Sequence, residues 1–244
     1  IGTGYYFLND MMTALSYFNN ALLLGESTGT EIKLSTPYRL IGWAHFFNFN
    51  IKGAKYYIEK SVEYAVESDI VELTQAHALC GFFYNSISEF DKAKESIEIV
   101  EKNIPRIENT LMLSQFYHIC STYFSITKEN PELALEYSLK SYNLAEKSGN
   151  ALFQFSSMYS RQLAYLALKQ YDKVIETGNS AIAFSEEKKI FIGIHVVHAA
   201  NAEAYIFKKD FEKANEIAIK FLEQKQTIVH KYALDTFLKV RAIY

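Results

Sequence analysis

Six histidines and two cysteines are the side chains here best suited to metal binding or nucleophilic chemistry, and their spacing decides which is open to them. His195 and His198 lie three apart, one helical turn, and could share a metal if a third ligand came from elsewhere. His77, His118 and His198 come at comparable places in three separate segments and could share a surface; His45 and His230 stand apart. No H-E-x-x-H and no paired Cys/His zinc spacing occurs, so each histidine reads as individually satisfied on a helix. There is no glycine-rich phosphate loop, no G-x-S-x-G and no dinucleotide fingerprint. Charge runs such as Glu186-Glu187-Lys188-Lys189 read as solvated helix ends. The sequence therefore assigns no catalytic residue, no metal and no cofactor, and the chain is expected to act by binding.

Composition agrees. The hydrophobic fraction of 49% suits a large core, and ten Gly with three Pro are too few for a sandwich or a disordered linker. The 18 Tyr and 18 Phe predict long helices packed through aromatic rings. A net charge of −3 gives no basic footprint, so no direct nucleic-acid contact is expected of this region. No apolar run nears the roughly 18 residues that a membrane helix requires.

The elements that must position any site follow from an internal repeat. A polar start, a small residue and then apolar residues at helical spacing recur, the small residue falling at Ala14, Ala54, Ala93, Ala134, Val174 and Ala214. Successive spacings are 40, 39, 41, 40 and 40. Seven residues later, on the same helical face, stand Ala21, Ser61, Val100, Ser141, Ala181 and Phe221. Small residues at both places let a second helix approach closely.

Upstream of each later anchor lies another segment of helical period: 38–49, 73–88, 111–127, 153–169 and 192–208. Each repeat thus reads as helix A, a short turn, then helix B. Asn130-Pro131 and Thr36-Pro37 both read as an N-cap before a first-turn proline. Asp91, Asp172 and Asp210 suit the starts of B helices, and Ser148-Gly149-Asn150 supplies a glycine C-cap. Cys80 and Cys120 occupy one slot of consecutive repeats, too far apart for a disulfide. They read as small buried hydrophobes in a reduced, cytoplasmic setting.

In the second complete repeat the order is His77-x2-Cys80-Gly81-x2-Tyr84, then Ala93-x3-Ile97, then Pro105. The first gives Tyr38-x2-Ile41-Gly42-x2-His45 and Ala54-x3-Ile58, with Val66 in place of the proline; the fifth gives His198-x2-Asn201-Ala202-x2-Tyr205 and Ala214-x3-Ala218. This order resembles the tetratricopeptide (TPR) family, whose pattern is W-x2-L-G-x2-Y, A-x3-F, P. The third repeat departs by an extra turn residue (Lys128-Glu129-Asn130), and the fourth by Gln162 where a small residue belongs. The period exceeds the usual 34 or so residues, adding roughly 9 Å of helix per repeat. In that length it is similar to MalT-like sensor arms and to Rap- and PlcR-type bacterial regulators.

The resemblance implies an all-α fold: a right-handed superhelical solenoid of antiparallel helix pairs, with five complete repeats and partial ones at both ends. It also implies a single domain over 1–244, with ligands met by the A helices on a concave face. Carried onto this sequence, that face holds Arg39, Trp43 and Phe46; Gln75, Phe82 and Asn85; Gln115 and His118; Tyr159 and Arg161; and His198 and Asn201, with Ser125 and Glu203 beside them. Amides, aromatics and arginines suit a peptide, and Arg39 and Trp43 are the expected anchors. The Lys/Asn/Arg carboxylate clamp of chaperone-tail-binding TPR domains is not reproduced, because its slots hold Arg39 and Trp43, then Ala78 and Phe82.

The expected function is protein or peptide binding, as a sensor or scaffold within a larger regulatory protein. Two alternatives stay open. One is self-assembly into homodimers or stacks through end aromatics (Tyr5, Tyr6, Phe7, Phe237 and Tyr244); the other is a regulatory arm for an attached catalytic or DNA-binding domain. Residues 1–8 read as the end of an A helix and 228–244 as an A helix without its partner, so flanking sequence or a partner is expected at both ends.

Overall fold

A computed structural model of the chain describes residues 11–28, 34–190, 193–223 and 231–243. Among them are twelve α-helices, one short 3-10 turn at Ile104–Arg106 and no strand. The helices are α1 (Met11–Thr28), α2 (Ser35–Phe47), α3 (Ile51–Glu63), α4 (Ile70–Ser86), α5 (Phe90–Asn103) and α6 (Thr110–Thr127). They continue as α7 (Pro131–Lys147), α8 (Ala151–Ala167), α9 (Tyr171–Lys188), α10 (Ile194–Phe207), α11 (Phe211–Leu222) and α12 (Lys231–Ile243). The even-numbered helices from α2 to α10 are the A helices of the five repeats, and the odd-numbered ones from α3 to α11 their B partners. The fold class is the all-α helical repeat expected from the period.

Contacts group these helices into two compact units: Ile1–Tyr84 with Lys92–Arg106, and Asn85–Asp91 with Ile107–Tyr244. The first unit holds α1 to α3 and most of α4 and α5; the second holds α6 to α12. In the second unit each A helix lies against its own B helix and beside the next A helix, α6 by α8, α8 by α10 and α10 by α12.

All six anchors, Ala14, Ala54, Ala93, Ala134, Val174 and Ala214, have 0% exposure. The second slot is fully enclosed only where it holds Ser61, Val100, Ser141 or Ala181. Ala21 is exposed, Leu22 beside it taking the buried place, and Phe221 is half-buried. Phe221 fills space instead of clearing it, stacking on Phe237 with ring centroids 5.4 Å apart. Phe237, expected among the exposed end aromatics, is therefore core at 0% exposure. Tyr5, Tyr6, Phe7 and Tyr244 lie outside the described residues.

Asn130 caps α7, accepting from the Leu133 N–H at 3.1 Å with Pro131 at the first helical position. Asn50, Asn109, Asn150 and Asp210 cap α3, α6, α8 and α11 in the same way. The Thr36-Pro37 expectation is corrected. Helix α2 begins at Ser35, and Pro37 is tolerated inside the first turn, where the N–H it lacks would have had no intrahelical partner. Thr36 instead donates its hydroxyl to Glu72 at 3.2 Å. Each A-to-B turn places a non-glycine residue in the left-handed region: Phe49, Ser88, Lys128, Lys169 and Lys209. The turn geometry thus follows the period although its residue type does not.

Candidate functional site

The residues expected to meet a ligand are largely engaged with one another. In the first unit, Arg39 on α2 donates through Nη2 to Gln75 Oε1 on α4 at 3.0 Å. Burial pulls the Arg39 guanidinium down to about 10, and the Glu72 charge opposes that shift. One turn along, Trp43 is half-buried, its ring 4.8 Å from Phe47 and 5.4 Å from Phe82. Phe46 has 0% exposure and meets Phe82 and Phe83 edge-on. Arg39, Trp43, Phe46, Gln75 and Phe82 therefore form the seam between adjacent A helices.

The second unit repeats the arrangement with different chemistry. His118 Nε2 lies 2.9 Å from the Tyr159 hydroxyl, joining α6 to α8. Burial pushes His118 down to about 3 and the Tyr159 phenol up. Between α8 and α10, Gln162 Nε2 donates to Asn201 Oδ1 at 2.9 Å and to the Val197 carbonyl at 3.1 Å. Asn85 is buried, and Gln115 and Arg161 are half-buried, Arg161 over the Tyr142 ring. His198 packs on Phe221 at 4.5 Å, and burial lowers both His195 and His198 to about 4. Cys80 and Cys120 are buried and in no disulfide; burial raises the Cys80 thiol to about 11, away from nucleophilic use.

An open cavity lies farther along the A helices of the second unit. A cavity of about 420 Å³ in the second unit is lined by the last turns of α6, α8 and α10, by α12, and by Ser88 and Phe90. Its lining follows the period: Leu163, Glu203 and Ile243 are one slot 40 residues apart, and Ile126, Leu166 and Ile206 another. Ala167 and Phe207 share a third slot. Leu163 and Leu166 are buried, Ile206 is half-buried, and Phe207 is 53% exposed and stacked on Tyr171. Among its polar members, Glu203 accepts from the Tyr232 hydroxyl at 2.9 Å. Burial, reinforced by the Glu203 charge, holds that phenol well above its ordinary range. Asp235 is half-buried, while Lys128 and Lys239 are exposed.

Of this lining, sequence reasoning picked out only Ser125 and Glu203. Extending the period from 203 back to 163 and on to 243 would have found Leu163 and Ile243, but the family pattern directs attention to the middle of helix A.

No family model and no curated protein matches the chain. Solved structures do. A signal transduction ATPase with numerous domains, carrying a tetratricopeptide repeat sensor, from Pyrococcus horikoshii, superposes with a TM-score of 0.61 at 18% identity, over 97% of this chain and 34% of that one. A Rap protein complexed with competence and sporulation factor gives 0.66 at 11% identity, over 99% and 73%. Aspartyl phosphate phosphatase F from Bacillus subtilis gives 0.58 at 14%, over 99% and 68%. At these identities the likeness is one of fold, and this chain spans about a third of the ATPase's length. The chain has the fold of the tetratricopeptide-repeat proteins.

Proposed function

We propose that this chain is a peptide- or protein-binding module, one domain of sensor or scaffold type within a larger regulatory protein, that works in the cytoplasm and not as an enzyme. The observation that carries the reading is the cavity of about 420 Å³ built from one face of successive A helices. It combines an apolar wall (Leu163, Leu166, Ile206 and Phe207) with a few polar groups, the composition of a ligand site. A repeat that presents the same slot every 40 residues suits an extended chain better than a compact metabolite. The Rap structure, which holds competence and sporulation factor on this fold, supports the same reading.

The test is affinity selection of random seven-residue peptides on the purified chain, beside an Ile206→Gln/Phe207→Ser variant of equal thermal stability. Peptides enriched by the parent and lost by the variant support the cavity as the site. Equal enrichment by both moves the site off the cavity, and no enrichment by either rejects peptide binding. Arg39→Ala and Trp43→Ala serve less well as probes, because both residues also hold the seam between α2 and α4.

A further inference from the structure

The cavity contains two half-buried carboxylates, and among the described residues neither has a cationic partner. Glu203 receives one hydrogen bond, from Tyr232, and a carboxylate has room for about three more. None of the ion pairs among the described residues includes Glu203 or Asp235. Lys239, one turn beyond Asp235 on α12, and Lys128 just past α6 are exposed lining residues, and neither forms an ion pair with Glu203 or Asp235. The adjoining wall is aliphatic, from Leu163, Leu166 and Ile206. An anionic guest would lie against Glu203. A purely apolar one would desolvate both carboxylates without compensation, which is unfavourable. The complement of this surface is a flexible aliphatic stem that ends in a cation.

Resting on the peptide-binding reading above, we infer that the cavity accepts a lysine or arginine side chain of the bound peptide. Its methylenes lie along Leu163, Leu166 and Ile206, and its charged head lies between Glu203 and Asp235. Such a side chain buries its stem and keeps a charge-assisted contact at its tip. Lys128 and Lys239 then meet the more exposed, backbone-bearing part of the ligand.

The experiment repeats the random heptapeptide selection on the whole chain and on Glu203→Gln/Asp235→Asn, a pair that keeps shape and removes charge. The parent is expected to enrich Lys or Arg at one position, and the neutral pair to lose that preference. A selected peptide should bind the neutral pair at least tenfold more weakly, lose affinity as salt is raised, and keep most of it on Glu203→Asp. Apolar or acidic enrichment at that position, or unchanged affinity on the neutral pair, overturns the assignment and leaves the cavity a peptide site of another class. Enrichment of no peptide by any form overturns both readings. Free agmatine is the competing probe: if it binds as tightly as the selected peptide, the site serves a small cation, and the peptide assignment falls.

Discussion

Gly178 on α9 faces Gln162 on α8 at a separation that admits no methyl group. A Cβ at position 178 would stand 2.3 Å from Gln162 Nε2 and 2.3 Å from Asn201 Oδ1. In the first two repeats the small residue is on helix A, Gly42 against Ile58 and Gly81 against Ile97. In the fourth the large side chain has moved to helix A and the glycine to helix B. The departure at Gln162 is thus a reciprocal exchange across one hairpin, and it leaves room for a buried amide pair, Gln162 and Asn201, between adjacent A helices.

Gly178→Ala tests that exchange. In a helix with open space the change would stabilise by up to about 1 kcal/mol through propensity. Here it must displace two buried, mutually bonded amides, and overpacking of this kind costs about 1–3 kcal/mol. Urea unfolding should show a net loss, relieved when Gln162→Ala is added. A gain from Gly178→Ala alone would mean that the amides are not held.

Gly42 and Gly81 occupy the same slot and should still differ. A Cβ at 42 would meet the Ile58 backbone nitrogen at 3.0 Å as well as its side chain at 2.7 Å, whereas at 81 it meets only side-chain atoms, those of Ile97 from 3.0 Å and of Ser96 at 3.5 Å. Backbone cannot give way as a side chain can. Gly42→Ala should therefore cost about 1–3 kcal/mol and Gly81→Ala distinctly less, read as shifts in urea midpoint. Equal losses would place the limit elsewhere.

His118 makes stability depend on pH. Burial holds its imidazole neutral down to about pH 3, while in the unfolded chain it titrates near 6.5. The contribution is fully present above pH 6.5. It is lost progressively as pH falls toward 3, by up to roughly 1.4 kcal/mol per pH unit for one proton. His195 and His198 act in the same direction down to about 4. His118→Gln should flatten the decline measured by urea unfolding between pH 6.5 and 5; an unchanged slope would remove His118 from the account.

Arg39 depends on Glu72. Glu72 is 4% exposed and its charge offsets the desolvation of the guanidinium. Glu72→Gln should destabilise by about 1–3 kcal/mol, because it leaves a buried cation less well compensated. Adding Arg39→Met should recover part of that loss, and a coupling above about 0.5 kcal/mol in the double-mutant cycle is the expected reading. Strict additivity would show that the two charges do not act on each other.

Sequence alone determined the period, the order of A and B helices and the six anchors, because a 40-residue repeat writes its packing small residues at fixed intervals. Helix A segments were legible to within about three residues, since apolar periodicity marks where a helix packs but not where its first turn begins; Thr36-Pro37 was misplaced for that reason. The tertiary structure decided which A-helix residues line an open cavity and which face each other. Arg39, Gln75, His118, Tyr159 and Asn201 have the polar and aromatic chemistry of a binding surface, and as single residues they cannot be told from a helix-to-helix seam. Only the neighbouring A helix, some 36 to 41 residues away in sequence, supplies the partner that consumes their hydrogen bonds. Toward the ends of α6, α8 and α10 in the second unit, Leu163, Leu166, Glu203 and Ile206 line a cavity instead of a seam.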